Sequence, residues 1–594
     1  MTPLTDRRGA PAAEVSSVAP TVIVGLTLAL GVADFIYAVE RIVSLALGAL
    51  LTILLLPWAR VVLKRDGAER SRLRRVALQA GLIALAGAFM VARWSVYNDA
   101  LEHPEISYAG SYRNYSVGHV VLMLIGVLLR GGRMARLVAA SASRPARLMV
   151  ATFGTASVVG ALLLALPVSL NHVESASLLD SLFVATSAVC VTGLSTVNVA
   201  DTYSFTGQLI LCALIQIGGL GIMVLAAAVT MLSGQRMGVK SSAQLAEMVD
   251  AGSLDELKRT VKAIALYTLA FEIAGAGLLY AWFSSIPETG TGPAAPGGLA
   301  GAWHPAWAAV FHSVSAFCNA SFSNFRDGLM PFTGATFVTA TLGGLIVAGG
   351  LGFPVLNELA RRAYDALRRR RARRLTLNTR VNLATAAALL VGMGLAYGLL
   401  ERGASMRALG LFDQLTGALF LSACSRTSGF TFVDVAAMRP ATLLLTCLAM
   451  FIGAAPGSCA GGIKTTTFAV LFASYRAELR GRRPTLFDRA IPAAVIRRAM
   501  GVGFIATILV FTIIFLLTLF EEHDVLALSF EVVSAFSTTG FSTGITSSLT
   551  VGGKLLIVAT MLAGRIGPLT LGLALSAESK KPAFELPEER VMIG

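Results

Sequence analysis

The sequence predicts an all-α polytopic membrane protein. Its expected architecture is four repeats of span, re-entrant short helix and span in pseudo-fourfold array, plus about four extra N-terminal transmembrane helices. Three observations predict it. Hydrophobic residues make up 55% of the 594 residues and charged residues only 14%, where a soluble globular chain carries about 25% charge. Beyond residue 147, long apolar segments alternate with short ones in the order span, short helix, loop, span, four times over. A Ser-Ala motif recurs four times, once at the end of each short segment.

No soluble fold can bury that much apolar side chain, which excludes a soluble enzyme, a secreted disulfide scaffold and a disordered chain. The net charge of +15 resides in arginine-rich stretches between apolar runs. That is the positive-inside pattern of cytoplasmic loops rather than a nucleic-acid surface. The six cysteines, Cys190, Cys212, Cys318, Cys424, Cys447 and Cys459, lie in or beside apolar segments without CxxC spacing. They are expected to be small buried residues.

In chain order, residues 1–20 are a polar cytoplasmic tail. Residues 21–145 are an extension with apolar segments near 21–39, 42–59, 76–92 and 116–130. Repeat 1 covers 146–240 and repeat 2 covers 255–362. An Arg-rich cytoplasmic linker at 363–376 follows. Repeat 3 covers 377–485, with an intramembrane loop at 453–464, repeat 4 covers 495–580, and 581–594 is a tail. The long segments fall near 148–170, 205–233, 263–284, 332–356, 383–400, 441–474, 499–520 and 554–577. The short ones, at 181–190, 305–318, 411–424 and 526–537, cannot span a bilayer core of about 30 Å and are typical of re-entrant segments. Orientation follows from charge. Residues 60–75 hold seven Lys/Arg, 130–147 five arginines, 361–380 nine and 476–498 seven. The N-terminus is therefore cytoplasmic, and all four re-entrant segments enter from outside.

The internal repeat carries the chemistry. Residues 187–195 read SAVCVTGLS, 315–323 SAFCNASFS, 422–431 SACSRTSGFT and 534–542 SAFSTTGFS. The turn positions Gly193, Ser321, Gly429 and Gly540 are spaced by 128, 108 and 111 residues. A second echo follows 24–28 residues later, as glycine patches at 218–221, 349–352, 453–457 and 564–567. Irregular backbone at membrane depth is tolerated only where it lines a cavity or is buried in protein. Four such loops around one axis can replace the hydration shell of a small cation with carbonyl oxygens. The short helices aim their negative ends at the same point. Glycine permits the positive φ that turns successive carbonyls inward. Thr192, Ser428 and Thr539 add small hydroxyls, and no carboxylate ring of divalent type is present in these loops.

These segments, with QIGGLGIM at 216–223, PGSCAGGIKTTT at 456–467 and GRIGPLT at 564–570, resemble the pore subunit of the Trk/Ktr/HKT superfamily of potassium transporters over about residues 145–577. The resemblance implies that the four repeats are M1–P–M2 units with re-entrant pore loops that conduct K⁺ or Na⁺, with no organic cofactor in this chain. It implies an ion-binding filter at Val191, Thr192, Gly193, Asn319, Ala320, Ser321, Thr427, Ser428, Gly429, Thr538, Thr539 and Gly540. It further implies a homodimer in a bacterial inner membrane, contacting membrane lipid and a cytosolic Trk/Ktr-type regulatory subunit with nucleotide-binding domains. Two features depart from the family pattern. Ser321 stands where the family has glycine, which leaves K⁺ against Na⁺ open. The N-terminal 145 residues carry more candidate spans than the family has.

Gly453, Pro456, Gly457, Ser458, Gly461 and Gly462 crowd the stretch before Lys464 and leave no continuous helix there. That stretch is either a movable gate or a static kink. Arg565 lies inside the last span, where a charge costs about 2.5–3.5 kcal/mol or more. It is expected to face the pore or the gating loop. Lys464 either snorkels or joins the gate. Arg426 is expected to brace the third loop, Glu272 to serve either a function or a structural hydrogen bond, and His312 to open the second short helix as a structural residue. The arginine run at 361–374 is a solvated face or meets anionic lipid or a regulator. A polytopic enzyme would need paired carboxylates or His clusters at one interface. A coupled secondary transporter would show inverted repeats. Neither pattern is present in the sequence.

Overall fold

The computed structural model describes residues 145–171, 175–221, 254–285, 305–370, 374–426 and 428–567. The expected N-terminal extension, both tails and the inner end of repeat 1 lie outside the described residues, as does Thr427.

The described chain is helical apart from one small hairpin. In order it contains α1 (Pro145–Leu164), α2 (Leu178–Cys190), α3 (Val199–Thr202), α4 (Phe205–Leu220), α5 (Leu254–Phe283), α6 (Pro305–Phe317) and α7 (Thr336–Gly350). There follow α8 (Phe353–Leu367), α9 (Leu377–Glu401), α10 (Leu411–Ser425), α11 (Pro440–Phe451) and α12 (Thr465–Glu478). Strands β1 (Thr485–Leu486) and β2 (Arg489–Ala490) pair antiparallel. They are followed by α13 (Ala493–Thr518), α14 (Val525–Ser537) and α15 (Val551–Ile566).

The four short helices α2, α6, α10 and α14 run 13, 13, 15 and 13 residues, within three residues of the expected bounds. Their outer ends are marked in sequence. Ser177 and Asp180 form a reciprocal cap on α2, and Asp524 accepts from the Leu526 amide at 3.0 Å on α14. Among the described residues, α5, α9 and α13 contain apolar stretches long enough to cross a membrane. Their lipid-facing side chains, such as Leu399 and Phe511, are exposed.

Two expected spans are broken. The 332–356 segment ends at Gly350, and the chain turns by 106° into α8. Gly352 at φ 82° makes the turn, and Pro354 then sits in the first turn of α8, where its missing amide costs nothing. The 441–474 segment is interrupted between Phe451 and Thr465, where its glycines and proline lead one to expect a break.

The helices pack in a ring. Each short helix rests on the long helix before it, α2 on α1, α6 on α5, α10 on α9 and α14 on α13. Each also meets the helix that follows the preceding loop: α6 packs on α4, α10 on α7 and α14 on α11, and α2 closes the ring on α15. The buried core runs around this ring through Phe183, Phe317, Phe420 and Phe536.

Candidate functional site

The site is made where the four short helices end. Helix α2 closes in a Schellman turn: the Val191 amide donates to the Ala188 carbonyl at 3.0 Å and the Thr192 amide to the Ser187 carbonyl at 2.7 Å. The same pair of bonds recurs at α6 through Asn319 and Ala320, and at α14 through Thr538 and Thr539. The turn residues Val191, Asn319 and Thr538 are left-handed, at φ 58°, 61° and 52°. At the β-branched Val191 and Thr538 that conformation costs about 1–2 kcal/mol, so backbone strain is stored at these two matched points, while asparagine takes it readily at the third. Two residues further on, Gly193 and Gly540 have φ 94° and 96°, and Ser321 has φ 60°. Ser187 and Ser534 reach forward to accept the Gly193 and Gly540 amides, each at 3.0 Å.

The third loop differs. Helix α10 continues to Ser425, Arg426 stays right-handed, and Ser428 donates from its amide to Cys424 at 2.8 Å. Gly429 does not take the positive φ expected of it. It is glycine because of crowding: a methyl there would lie 2.6 Å from both the Thr539 carbonyl oxygen and the Phe541 nitrogen. Arg426 is buried, and its Nε has no hydrogen-bond partner among the described residues.

The loops meet. A methyl on Gly193 would fall 2.5 Å from the Ala320 carbonyl oxygen and 2.8 Å from Ser321 Oγ. A methyl on Gly540 would lie 3.0 Å from Ser321 Oγ and strike the Thr192 carbonyl. Ser321 Oγ donates to the Thr539 carbonyl at 2.9 Å, which joins the second loop to the fourth. The carbonyls of Thr192, Ala320 and Thr539 thus gather within one small volume, as do Gly193, Ser321, Gly429 and Gly540.

Beneath the loops lies the segment 452–464. Gly461 and Gly462 press on Ser537 and Thr538 at the end of α14, and Gly462 has φ 68°. Cys459 Sγ donates to the Gly219 carbonyl at 3.2 Å. On another side the Ala455 amide donates to Gly350 and the Phe353 amide to Gly457, both at 3.1 Å; Gly352 packs on Pro456, and Gly457 on Pro354. Ser458 Oγ donates to the Ala455 carbonyl at 2.6 Å and Lys464 Nζ to the Ala460 carbonyl at 2.5 Å. Arg565 donates from one nitrogen to the Cys459 carbonyl and from another to the Gly218 carbonyl. Gly453 backs onto the Gly461 carbonyl. The eight expected residues of this segment and its anchor therefore form one contact network spanning three quarters of the ring.

One expectation is corrected in detail: His312 sits in the middle of α6 rather than at its start. Glu272 accepts from Gln216 Nε2 at 3.3 Å and receives Cys318 Sγ at 3.8 Å. Sequence reasoning passed over the hydroxyls of Ser187 and Ser534. Their signal was present in the Ser-Ala pair that opens all four segments. At the outer face, Arg326 bonds Asp201 at 2.7 Å and holds its guanidinium above the usual pKa through that contact.

The mostly helical chain, with four loops converging at its centre, is a membrane transport protein and not an enzyme, as its family and relatives show. The chain belongs to the TrkH family of cation transport proteins, whose model matches residues 118–585. It is 34% identical over 463 residues to the Ktr system potassium uptake protein B of Bacillus subtilis, covering 76% of this chain and 97% of that one. It is similarly 34% identical to the potassium/sodium uptake protein NtpJ of Enterococcus hirae, with the same coverage. The solved potassium transporter TrkH from Vibrio parahaemolyticus matches with a TM-score of 0.58, covering 83% of this chain and 97% of that one at 18% identity, a shared fold.

Proposed function

We propose that this protein carries a monovalent cation, K⁺ first, into the cell through a filter of main-chain oxygens at the meeting of the four loops. The observation that carries the reading is the gathering of the Thr192, Ala320 and Thr539 carbonyls around Gly193, Ser321, Gly429 and Gly540. Carbonyl dipoles without a carboxylate ring suit a singly charged ion. The ring of packing contacts supports four M1–P–M2 repeats; in this reading they run near 146–240, 255–362, 377–485 and 495–580, after an N-terminal extension. Val191, Asn319, Thr427, Ser428 and Thr538 complete the filter. The membrane potential, worth about 2.3 kcal/mol per charge per 100 mV, drives uptake without ATP.

The segment 453–464 is the gate. It lies directly under the loops, it is irregular, and Arg565 holds it by the Cys459 carbonyl while gripping the Gly218 carbonyl of α4. In this reading the chain works as a homodimer in the bacterial inner membrane with its N-terminus in the cytoplasm. A cytosolic nucleotide-binding subunit sets the gate; two of the relatives are named as proteins of a Ktr system, in keeping with a multi-component transporter.

A second reading rests on Ser321. Its hydroxyl already occupies the Thr539 carbonyl, and it replaces a glycine of the repeat. Such a filter passes Na⁺ as well as K⁺, in keeping with the name of the Enterococcus relative. Uptake of ⁸⁶Rb⁺ and ²²Na⁺ into proteoliposomes under an imposed potential separates the cases. Rb⁺ alone supports the first, both isotopes support the second, and neither isotope refutes both.

A further inference from the structure

Three residues before the shared serine, the four short helices carry Val184, His312, Leu419 and Glu531. Two residues after the turn glycine or serine, the four loops carry Ser195, Ser323, Thr431 and Ser542. In the first and third loops that hydroxyl turns back on its own strand. Ser195 Oγ donates to the Val197 carbonyl at 2.6 Å and Thr431 Oγ1 to the Val433 carbonyl at 2.6 Å. Opposite them, Val184 and Leu419 offer no polar group.

The second and fourth loops are built otherwise. His312 is fully buried and its Nδ1 lies 2.8 Å from the Ala308 carbonyl, an acceptor only. Nδ1 therefore carries the hydrogen, and in the neutral ring Nε2 accepts from Ser323 Oγ at 2.9 Å. Glu531 is equally buried. Its Oε1 accepts from Thr546 Oγ1, which lies 2.9 Å from Ser542 Oγ. Its Oε2 has no hydrogen-bond partner among the described residues. A buried carboxyl with one free oxygen is expensive to keep for packing alone. At their centre these same two loops are joined by the Ser321–Thr539 bond.

We infer that His312 and Glu531 are positioning residues. Each ties the outer shoulder of its own loop to the helix behind it, and together they fix loops two and four as a stiff diagonal that sets the cation preference of the filter. Loops one and three lack the tie and adjust to the ion. The inference rests on the reading of the loops as a cation filter.

The test measures the Rb⁺/Na⁺ uptake ratio of the full chain in proteoliposomes. Glu531→Val and His312→Leu import the residue types of the untied loops. Each is expected to lower the ratio about five- to tenfold, the scale of one buried hydrogen bond. Thr546→Val cuts the same tie from its other end without touching the carboxyl, so it reads the proposal even where Glu531→Val does not fold. Its effect is expected to match, and the double variant to fall no further. Glu531→Gln keeps an oxygen for Thr546 and is expected to retain the ratio. An unchanged ratio in Thr546→Val and His312→Leu overturns the proposal, and so does a Glu531→Gln that falls as far as Glu531→Val. A wild-type protein that takes up neither isotope refutes the filter reading instead, a distinct result.

Discussion

Gly218, Gly349 and Gly564 form the sharpest mutational test of the architecture. Each lies on the helix after its loop, and each faces the same point. A methyl there would strike the carbonyl oxygen of Val189, Phe317 or Phe536, the residue four before Gly193, Ser321 or Gly540. At Gly349 it would also approach the Phe317 carbonyl carbon to 3.0 Å, and at Gly564 that of Phe536 to 2.7 Å. A carbon normally rests about 3.3–3.6 Å from a carbonyl oxygen. The end of the short helix must therefore retreat by ~1 Å or more, and the loop retreats with it. Overpacking of this kind costs about 1–3 kcal/mol per site. Gly349→Ala and Gly564→Ala should each lower the melting temperature of the purified protein and reduce the Rb⁺/Na⁺ uptake ratio together, because one displacement produces both. Gly344→Ala is the internal control. It sits on the same helix as Gly349 with nothing within 4 Å of its added methyl. It should gain about 0.5–1 kcal/mol of helix propensity and leave selectivity untouched. The reasoning is refuted if Gly349→Ala and Gly564→Ala keep wild-type melting and selectivity, or if Gly344→Ala does equal damage.

Other outcomes follow from the same geometry. Ser321→Gly frees the Thr539 carbonyl and relieves a left-handed serine worth about 1–2 kcal/mol, so K⁺ over Na⁺ discrimination should tighten in isotope competition. Deleting residues 454–462 should raise basal Rb⁺ flux in the absence of any regulator, and flux that stays low would remove this segment from gating. Arg565→Gln weakens two charge-assisted bonds of about 1.5–3 kcal/mol each and should raise basal flux in the same direction, without adding to the deletion. Ser187→Ala and Ser534→Ala leave the Gly193 and Gly540 amides unpaired, and each should cost about 1–3 kcal/mol in stability and blur selectivity.

The sequence made the helical ring legible because its punctuation is strong. Ser177 and Asp524 mark the outer ends of α2 and α14, and the Ser-Ala segments mark the inner ends within three residues. The break at 452–464 was legible from glycine and proline density. The bend after Gly350 was not, because GGLG at 349–352 gives no direction for the chain until the docking of Gly352 on Pro456 and of Gly457 on Pro354 is seen. The left-handed turns at Val191, Asn319 and Thr538 were hidden for a different reason. Local propensity disfavours them at Val191 and Thr538, though not at Asn319, and at those two tertiary closure enforces them. Gly429 earned its place through crowding and not through φ. The ties of His312 and Glu531 needed the loops folded back onto their helices, which no linear spacing reveals.

The most direct measurement is anomalous diffraction from crystals of the full chain grown in Rb⁺. Strong density is predicted on the axis between the Thr192, Ala320 and Thr539 carbonyl oxygens, lost when Na⁺ or choline replaces Rb⁺. Crystals that hold Rb⁺ elsewhere and none at that point would contradict a main-chain filter at the centre of the four loops.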